Sequence, residues 1–195
     1  ALTASGGTLA TPIILSTETF NGSPTWTTTN SSTGGTPANA AWTLRPDGYV
    51  YTNFSSYTFH SNDNSQFYLT NSDAQGSGGS TETYLTSTAL STTGLSAASI
   101  NFYQDFKAIS GSSGEVQAST DGTNWTTIAT YTSGGSDASF AAASATLTAP
   151  FLNQPTVYVR FKYIGSYSWW WAIDNVSLVT PAIAPITWSP STGLY

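Results

Sequence analysis

One acidic residue lies where a carboxylate needs a special explanation. Asp174 falls inside the apolar run 171–176, where strand alternation places it on the same face as Ala172 and Val176. An unpaired carboxylate buried there would be costly. Because the chain has only four Lys and Arg residues, a hard divalent cation is a better partner than a salt bridge. Ca²⁺ takes about 6 to 8 oxygen ligands, so Asp174 is a candidate calcium ligand.

Two further carboxylates could complete such an oxygen shell. Glu18 lies in an early strand-like segment, and Asp73 opens the loop 71–76, whose carbonyl groups are additional oxygen donors. The alternative places Glu18 on an exposed strand face and Asp73 at the start of a turn, without a metal. No spacing signature such as that of an EF-hand decides between them. We therefore treat Glu18, Asp73 and Asp174 as one hypothetical Ca²⁺ site.

Three consecutive Trp residues, 169–171, precede Asp174. In a strand, Trp169 and Trp171 would share one face with Ile173, and Trp170 would lie on the other. Aromatic rings most often fill a core, but a ring on the other face could stack on a sugar or anchor a partner. Trp170 and, secondarily, Trp169 are the candidate ligand-binding residues.

The remaining residue types argue against several functions. The chain has no Cys, and its single His60 is not accompanied by a nucleophile-elbow motif, so we predict no catalytic residue and no enzyme activity. A net charge of −6 with four basic residues disfavours nucleic-acid binding. No apolar run approaches the roughly 18 residues of a membrane span, so we expect no membrane insertion.

The pattern of apolar residues is typical of strands. Only 7% of the residues are charged and 14% are aromatic, while nearly a third are Ser or Thr. Residues 156–163 alternate between apolar and polar over their whole length. Gly- and Asn-containing turns separate the strand-like runs, and two packed antiparallel sheets are the expected all-β arrangement. The predicted strands are 12–20, 66–71, 83–87, 99–108, 115–119, 125–132, 156–163 and 172–179.

The chain divides into three parts by composition. Residues 1–11 form an N-terminal lead-in, and residues 12–180 form the sandwich. Residues 181–195 contain Pro181, Pro185 and Pro190, and Pro cannot donate to a strand ladder. We expect this last segment to be a linker to a following module of the same chain.

Seven segments, taken in order, resemble a known extracellular family. Together they are similar to choice-of-anchor J and cleaved-adhesin domains, which are relatives of MAM domains, across residues 12–180. The segments are 18–26, 70–79, 84–90, 100–106, 116–125, 159–163 and 171–176.

This resemblance implies a jelly-roll β-sandwich of secreted or surface bacterial proteins, often of Bacteroidetes type. It also implies Ca²⁺ held between an early-strand acid, a mid-chain loop and the acid of the last strand, which match Glu18, Asp73 and Asp174. The loop 27–32 lacks the acid-rich pattern of some cleaved-adhesin domains, so one principal ion site is expected.

Three functions are compatible with the sequence. We favour a non-catalytic, extracellular adhesion module on the bacterial cell surface, whose partner is a polysaccharide, a glycan, or a surface or matrix protein. A carbohydrate-binding accessory domain of a secreted hydrolase is the second hypothesis, motivated by Trp170 and the many Tyr rings. A passive spacer in a surface fibre is the third, since an uncharged Ser- and Thr-rich surface would be sufficient for it.

Overall fold

The computed structural model describes residues 11–109, 111–132 and 139–182, which form strands joined by turns and three short helices. The helices are the 3₁₀ turns Pro37–Ala40 and Ala149–Phe151 and α1 (Ser72–Gln75). The strands are β1 (Ile13–Glu18), β2 (Thr27–Asn30), β3 (Thr43–Arg45), β4 (Tyr49–Asn53), β5 (Ser55–Phe59), β6 (Phe67–Asn71), β7 (Thr81–Thr86), β8 (Ser99–Lys107), β9 (Ser113–Ser119), β10 (Thr126–Tyr131), β11 (Ala141–Thr146), β12 (Tyr158–Gly165) and β13 (Trp170–Thr180).

Two antiparallel sheets make up the sandwich. Sheet A has the strand order β11-β8-β13-β6-β3, and β1 also pairs with β13. Sheet B has the order β10-β9-β12-β7-β2. Strands β4 and β5 form a separate hairpin. The architecture is a jelly-roll β-sandwich, and the predicted all-β fold of two antiparallel sheets is confirmed.

The main core lies between the two sheets because alternate residues of each strand point inward. Phe161 of β12 and Trp171 of β13 are both fully buried and meet edge to face, with ring centroids 5.5 Å apart. Gly114 of β9 lies directly against this packing, and a Cβ added there would be 2.8 Å from the Trp171 ring. A side chain at this position would therefore displace a ring of the core. Within the described residues, no helix is both long enough and apolar enough to span a membrane.

A second apolar cluster covers the outer face of sheet A. Its buried members are Phe59, Phe67, Leu69, Trp170 and Ala172. The β4–β5 hairpin contributes Tyr49, Tyr51 and Tyr57 to its edge. The alternation predicted for β13 is therefore correct for residues 170–173, which point to the two clusters in turn. Trp169 precedes the strand and packs on Trp170, at 5.3 Å, instead of sharing the face of Trp171.

A bulge in β13 changes its alternation after Asp174. Asn175 has a φ of +48°, and the register with β8 shifts between Asp174 and Ser177. Val176 consequently joins the inter-sheet core, although strict alternation had placed it beside Asp174. Asp174 is left on the outer face of sheet A with Ala172, where the loop 60–66 approaches it.

All eight predicted strands are present, with ends that differ by a few residues. Strands β2, β3, β4, β5 and β11 were not predicted. Residues 1–10 and 183–195 lie outside the described residues. The predicted lead-in and the predicted linker fall almost entirely there, so the division into 1–11, 12–180 and 181–195 stays a prediction.

Candidate binding face and candidate cation site

The outer face of sheet B concentrates charged and aromatic side chains in a chain that has few charges. Since Phe161 and Tyr163 of β12 point into the core, their neighbours Arg160 and Lys162 point outward. These are two of the four basic residues of the chain. Strands β7 and β9 add outward-facing residues on both sides of β12, among them Glu82, Tyr84 and Glu115.

Arg160 lies between two aromatic rings on this face. Its Cζ atom is 4.1 Å from the ring centroid of Trp125 and 4.5 Å from that of Tyr84. Its Nε donates a hydrogen bond of 2.7 Å to Oε1 of Gln117. A guanidinium group stacks well on aromatic faces, so the three side chains hold one another in place. We call Trp125, Arg160 and Tyr84 the Arg stack.

Hydrogen bonds extend from the Arg stack across the neighbouring strands. On one side, Gln117 Nε2 donates a hydrogen bond of 2.7 Å to Oε2 of Glu115, which also accepts one from Thr127 of β10 at 3.1 Å. On the other side, the Tyr84 hydroxyl donates to Glu82, whose carboxylate lies 3.2 Å from Lys162 Nζ.

The carboxylate of Glu82 also changes the acidity of Tyr84. Burial and the hydrogen bond to Glu82 raise the pKa of Tyr84 to about 12. The hydroxyl therefore stays protonated and continues to donate at neutral pH. The result is a half-exposed face about 19 Å across its five strands, on which aromatic rings and polar groups hold one another in place.

The buried carboxylate of Asp174 forms the second candidate site. Its Oδ1 accepts a hydrogen bond of 2.8 Å from the backbone N–H of Asn175. Its Oδ2 is buried and has no hydrogen-bond partner among the described residues. Burial raises the pKa of Asp174 to about 7, and the charge of Asp63 adds to this shift, whereas the Asn175 N–H and the nearby Ser61 hydroxyl oppose it. The Ser61 hydroxyl donates its hydrogen bond to Asp63 Oδ1, so it does not satisfy Oδ2 of Asp174.

Asp63 is the acid whose charge acts on Asp174, and it is well supplied with donors. Ser61 Oγ and the Ser65 N–H each donate to its Oδ1 at 3.1 Å, and Asn175 Nδ2 donates to Oδ2 at 2.9 Å. Burial raises the pKa of Asp63, but these hydrogen bonds outweigh it and hold the pKa below its ordinary value. Asp63 therefore stays charged beside a carboxyl group that resists ionisation.

These two acids are a suitable but incomplete donor set for a hard cation. The unpartnered Oδ2 of Asp174 and the charge of Asp63 suit Ca²⁺, which prefers oxygen ligands. Over residues 11–109, 111–132 and 139–182, no group of three or more His, Cys, Asp or Glu residues is placed to hold a metal. A cation here would need neutral oxygens and water as its remaining ligands.

The structure does not bring the three predicted metal ligands together. Glu18 lines a cavity at the edge of the inter-sheet core with Trp26 and Val159, on the opposite face of sheet A from Asp174. Its Oε1 accepts the Phe20 N–H at 2.8 Å, and its Oε2 accepts the Thr25 N–H at 3.2 Å. Glu18 thus fastens the turn that follows β1.

Asp73 is separated from Asp174 by the length of a strand ladder. Trp170 of β13 pairs with Asn71, and helix α1, which begins at Ser72, carries Asp73 beyond the end of this ladder. Asp174 lies four residue positions beyond Trp170 along β13, or roughly 13 Å. Asp73 accepts hydrogen bonds from Tyr51 Oη at 2.8 Å and Asn53 Nδ2 at 2.7 Å. The grouping of Glu18, Asp73 and Asp174 into one site is therefore wrong.

Trp170 is not an exposed platform. It is fully buried in the cluster on the outer face of sheet A, with its ring centroid 4.8 Å from that of Tyr57 and 5.1 Å from that of Phe59. The prediction that it stacks on a ligand is wrong, because the β4–β5 hairpin covers the face to which it points. Trp169 is half-buried, and Lys107 Nζ lies 4.2 Å from its ring centroid. Lys107 thus covers one face of the Trp169 ring.

His60 has the position expected of a surface-loop residue. Its side chain is 64% exposed, and its Nδ1 lies 3.2 Å from Oδ2 of Asp47.

Sequence reasoning missed Asp63, Trp125 and Tyr84. The alternation of residues 156–163 did place Arg160 and Lys162 together on the polar face of the strand. This alternation was the signal in the sequence for the candidate binding face.

No family model matches the sequence, and the search of curated proteins gave no match. Solved structures do share the fold. The K1 cleaved adhesin domain of Lys-gingipain from Porphyromonas gingivalis W83 matches 87% of this chain and 98% of its own length, with 18% identity and a TM-score of 0.56. The K3 cleaved adhesin domain of the same protein matches 86% of this chain and 99% of its own length, with 17% identity and a TM-score of 0.51.

A carbohydrate-binding module also has this architecture. The CBM27-1 module of Caldicellulosiruptor saccharolyticus, solved in complex with mannohexaose, matches 90% of this chain and 100% of its own length. Its identity to the chain is 13%, and the TM-score is 0.51. At these identities the similarity establishes a common fold.

Proposed function

We propose that this chain is a non-catalytic adhesion module of a secreted bacterial surface protein, and that it binds a polysaccharide or glycan on the outer face of sheet B. The observation that carries the proposal is the Arg stack, which is tied by hydrogen bonds to Glu115 on one side and to Glu82 on the other. Membership of the choice-of-anchor J or cleaved-adhesin family, an extracellular location and further domains in the same chain are parts of this proposal.

The chemistry of the face suits a neutral polyhydroxylated ligand. Trp and Tyr rings offer apolar surface to sugar rings and lose little conformational entropy on binding. The amide, carboxylate and ammonium groups beside them can donate to and accept from hydroxyl groups. Because these groups are already fixed by one another, a ligand need not order them on binding. The shared fold with an adhesin domain and with a module solved with mannohexaose supports this class of ligand.

The test is a binding screen with matched aromatic variants. The folded domain is screened against mannohexaose, xylohexaose and cellohexaose, and against an array of bacterial and host glycans and matrix proteins. We expect at least one saccharide to bind, and Tyr84→Ala and Trp125→Ala to weaken that binding about tenfold or more. The control is Tyr103→Ala, since Tyr103 is 38% exposed but belongs to sheet A.

Three results would contradict the proposal. Equal loss of binding in Tyr103→Ala and Tyr84→Ala would place the ligand elsewhere. Binding of proteins but of no saccharide would indicate an adhesin for protein partners. No binding at all by the folded domain would indicate a passive spacer.

We also propose that Asp174 and Asp63 hold one Ca²⁺ ion. The support is the unpartnered buried Oδ2 of Asp174 beside a second carboxylate. A bound ion would neutralise the Asp174 carboxylate and join the loop 60–66 to the bulge of β13. Thermal denaturation with and without calcium tests this site in Asp63→Asn and Asp174→Asn, with Asp73→Asn as the control.

A further inference from the structure

An open cleft at one end of the sandwich has the composition of a small saccharide site. It has a volume of about 380 Å³, within the range of roughly 300 to 1,000 Å³ that ligand pockets occupy. It lies where the end of β4, helix α1 and the turn between β12 and β13 converge. Its lining includes Asn39, Tyr51, Asn53, Asp73, Ser77 and Tyr167.

Asp73 is held rigidly in this cleft. Tyr51 Oη and Asn53 Nδ2 both donate to its Oδ2, and Oδ1 accepts no hydrogen bond from the described residues. Burial and the bond to Asp73 raise the pKa of Tyr51, so the phenol remains a donor at any physiological pH. One carboxylate oxygen is therefore fixed by the protein and the other is available to hydroxyl groups of a ligand.

Tyr167 supplies an exposed ring at the edge of the cleft. It is 46% exposed and has a φ of +47°, which is unusual for a bulky residue. Its neighbours hold the turn in place, because Ser166 Oγ donates to the Gly79 carbonyl and the Ser168 N–H donates to Ser72 Oγ, each at 3.2 Å. A strained backbone that presents a ring to solvent is a reason to look for a ligand at this position.

A second exposed aromatic residue is the sequence neighbour of Asn53, which lines the cleft. Phe54 follows Asn53 at the tip of the β4–β5 hairpin, is 100% exposed and has a φ of +53°. Glycine would adopt this conformation without strain. Two rings in left-handed turns therefore occur beside the residues that hold Asp73.

We infer that this cleft is a second ligand site, separate from sheet B, and that it takes one ring of a neutral saccharide. The ring of Tyr167 covers the apolar face of the sugar, and Asp73 Oδ1 accepts from its hydroxyl groups. The amides of Asn39 and Asn53 provide further donors and acceptors. Because the only ionised group among these lining residues is a carboxylate, neutral sugars are preferred over sialic or uronic acids.

The experiment is a titration of the folded domain, followed by two-dimensional amide NMR. The probes are methyl α-D-mannopyranoside, methyl β-D-galactopyranoside and N-acetylneuraminic acid. A neutral probe is expected to shift the amide signals of residues 51–54, 73–77 and 166–168. Tyr167→Ala and Asp73→Asn are expected to weaken this binding about tenfold, with unchanged spectra elsewhere in the domain. N-acetylneuraminic acid is expected to give no shift there.

The control variants separate this inference from the proposed function. Trp125→Ala and Tyr103→Ala are expected to leave the cleft titration unchanged. If Trp125→Ala abolishes every saccharide shift and Tyr167→Ala abolishes none, the cleft inference is overturned while binding on sheet B stands. Shifts at the cleft that survive both Tyr167→Ala and Asp73→Asn would also overturn it, and so would a preference for the anionic sugar.

Discussion

The indole Nε1 of Trp170 donates a hydrogen bond of 2.6 Å to Oδ2 of Asp105, across the pairing of β13 with β8. Trp170 is fully buried, and Asp105 is 1% exposed. A buried carboxyl group needs hydrogen-bond partners, and removal of one partner from a buried polar group costs about 1 to 3 kcal/mol. The ring of Trp170 is thus required both for its apolar area and for its N–H group.

Trp170→Phe keeps an aromatic ring but removes the N–H donor to Asp105. We expect it to lower the free energy of unfolding by about 2 to 3 kcal/mol, measured by urea denaturation. Trp169→Phe is the matched control, because Trp169 is only half-buried, and it should have a smaller effect. Equal losses in the two variants would assign the effect to ring size rather than to the hydrogen bond.

Arg160→Lys tests the geometry of the Arg stack without changing the charge. A Lys ammonium group lacks the planar surface that stacks between Trp125 and Tyr84, and it lacks the Nε that donates to Gln117. We expect about tenfold weaker binding of whichever saccharide the screen identifies, measured by isothermal titration calorimetry. Arg45→Lys is the control, since Arg45 stacks on Tyr49 at 4.3 Å but belongs to sheet A. Unchanged affinity in Arg160→Lys would leave the stack a purely structural role.

The raised pKa of Asp174 predicts how stability depends on pH in the presence of a chelator. In the unfolded chain this carboxyl group titrates near 4, whereas in the folded protein its pKa is about 7. Between these values the folded state holds a proton that the unfolded state has lost. The contribution of Asp174 to stability is therefore complete below about pH 4 and is lost as the pH rises to about 7.

We expect Asp174→Asn to remove this contribution to the pH dependence. The melting temperature of the wild type should fall more between about pH 4.5 and 8 than that of the variant, and thermal denaturation in chelator measures the difference. Parallel curves for the two proteins would show that the Asp174 carboxyl ionises without penalty.

Calcium should reverse this loss at the upper end of the pH range. At pH 8, an ion present at about 100 times its dissociation constant stabilises the folded state by about 2.7 kcal/mol, or roughly 5 to 10 °C in a domain of this size. Asp63→Asn and Asp174→Asn should abolish the shift, and Asp73→Asn should retain it. Loss of the shift in Asp73→Asn alone would move the ion to that acid, and no shift in the wild type would remove calcium from the proposal.

The sequence predicted those elements whose side chains alternate clearly, and it failed where they do not. Residues 156–163 read as a strand because large apolar residues recur at every second position. In contrast, β2 has the sequence Thr-Thr-Thr-Asn and is exposed throughout, and β11 is built mainly of Ala. Neither contains the contrast between apolar and polar residues from which a face can be identified.

The candidate sites were harder to predict because their members are far apart in the chain. Trp125, Tyr84 and Arg160 become neighbours only through the order of strands in sheet B. Asp63 lies in a loop whose sequence does not indicate that it packs on the bulge at Asn175. The acid chosen in its place, Asp73, had a suitable loop composition, but the register of β6 with β13 directs it away from Asp174.

The bulge at Asn175 has a consequence for how this chain is compared with relatives. Before the bulge, the core-facing residues of β13 have odd numbers, as in Trp171 and Ile173. After the bulge, the core-facing residues have even numbers, as in Val176 and Leu178. An alignment that runs through this strand without a gap would match core residues with surface residues from Val176 onward wherever the relative has a regular strand. A relative without the bulge must lack one residue here to keep its core intact, so a single-residue gap at Asn175 is the correct alignment.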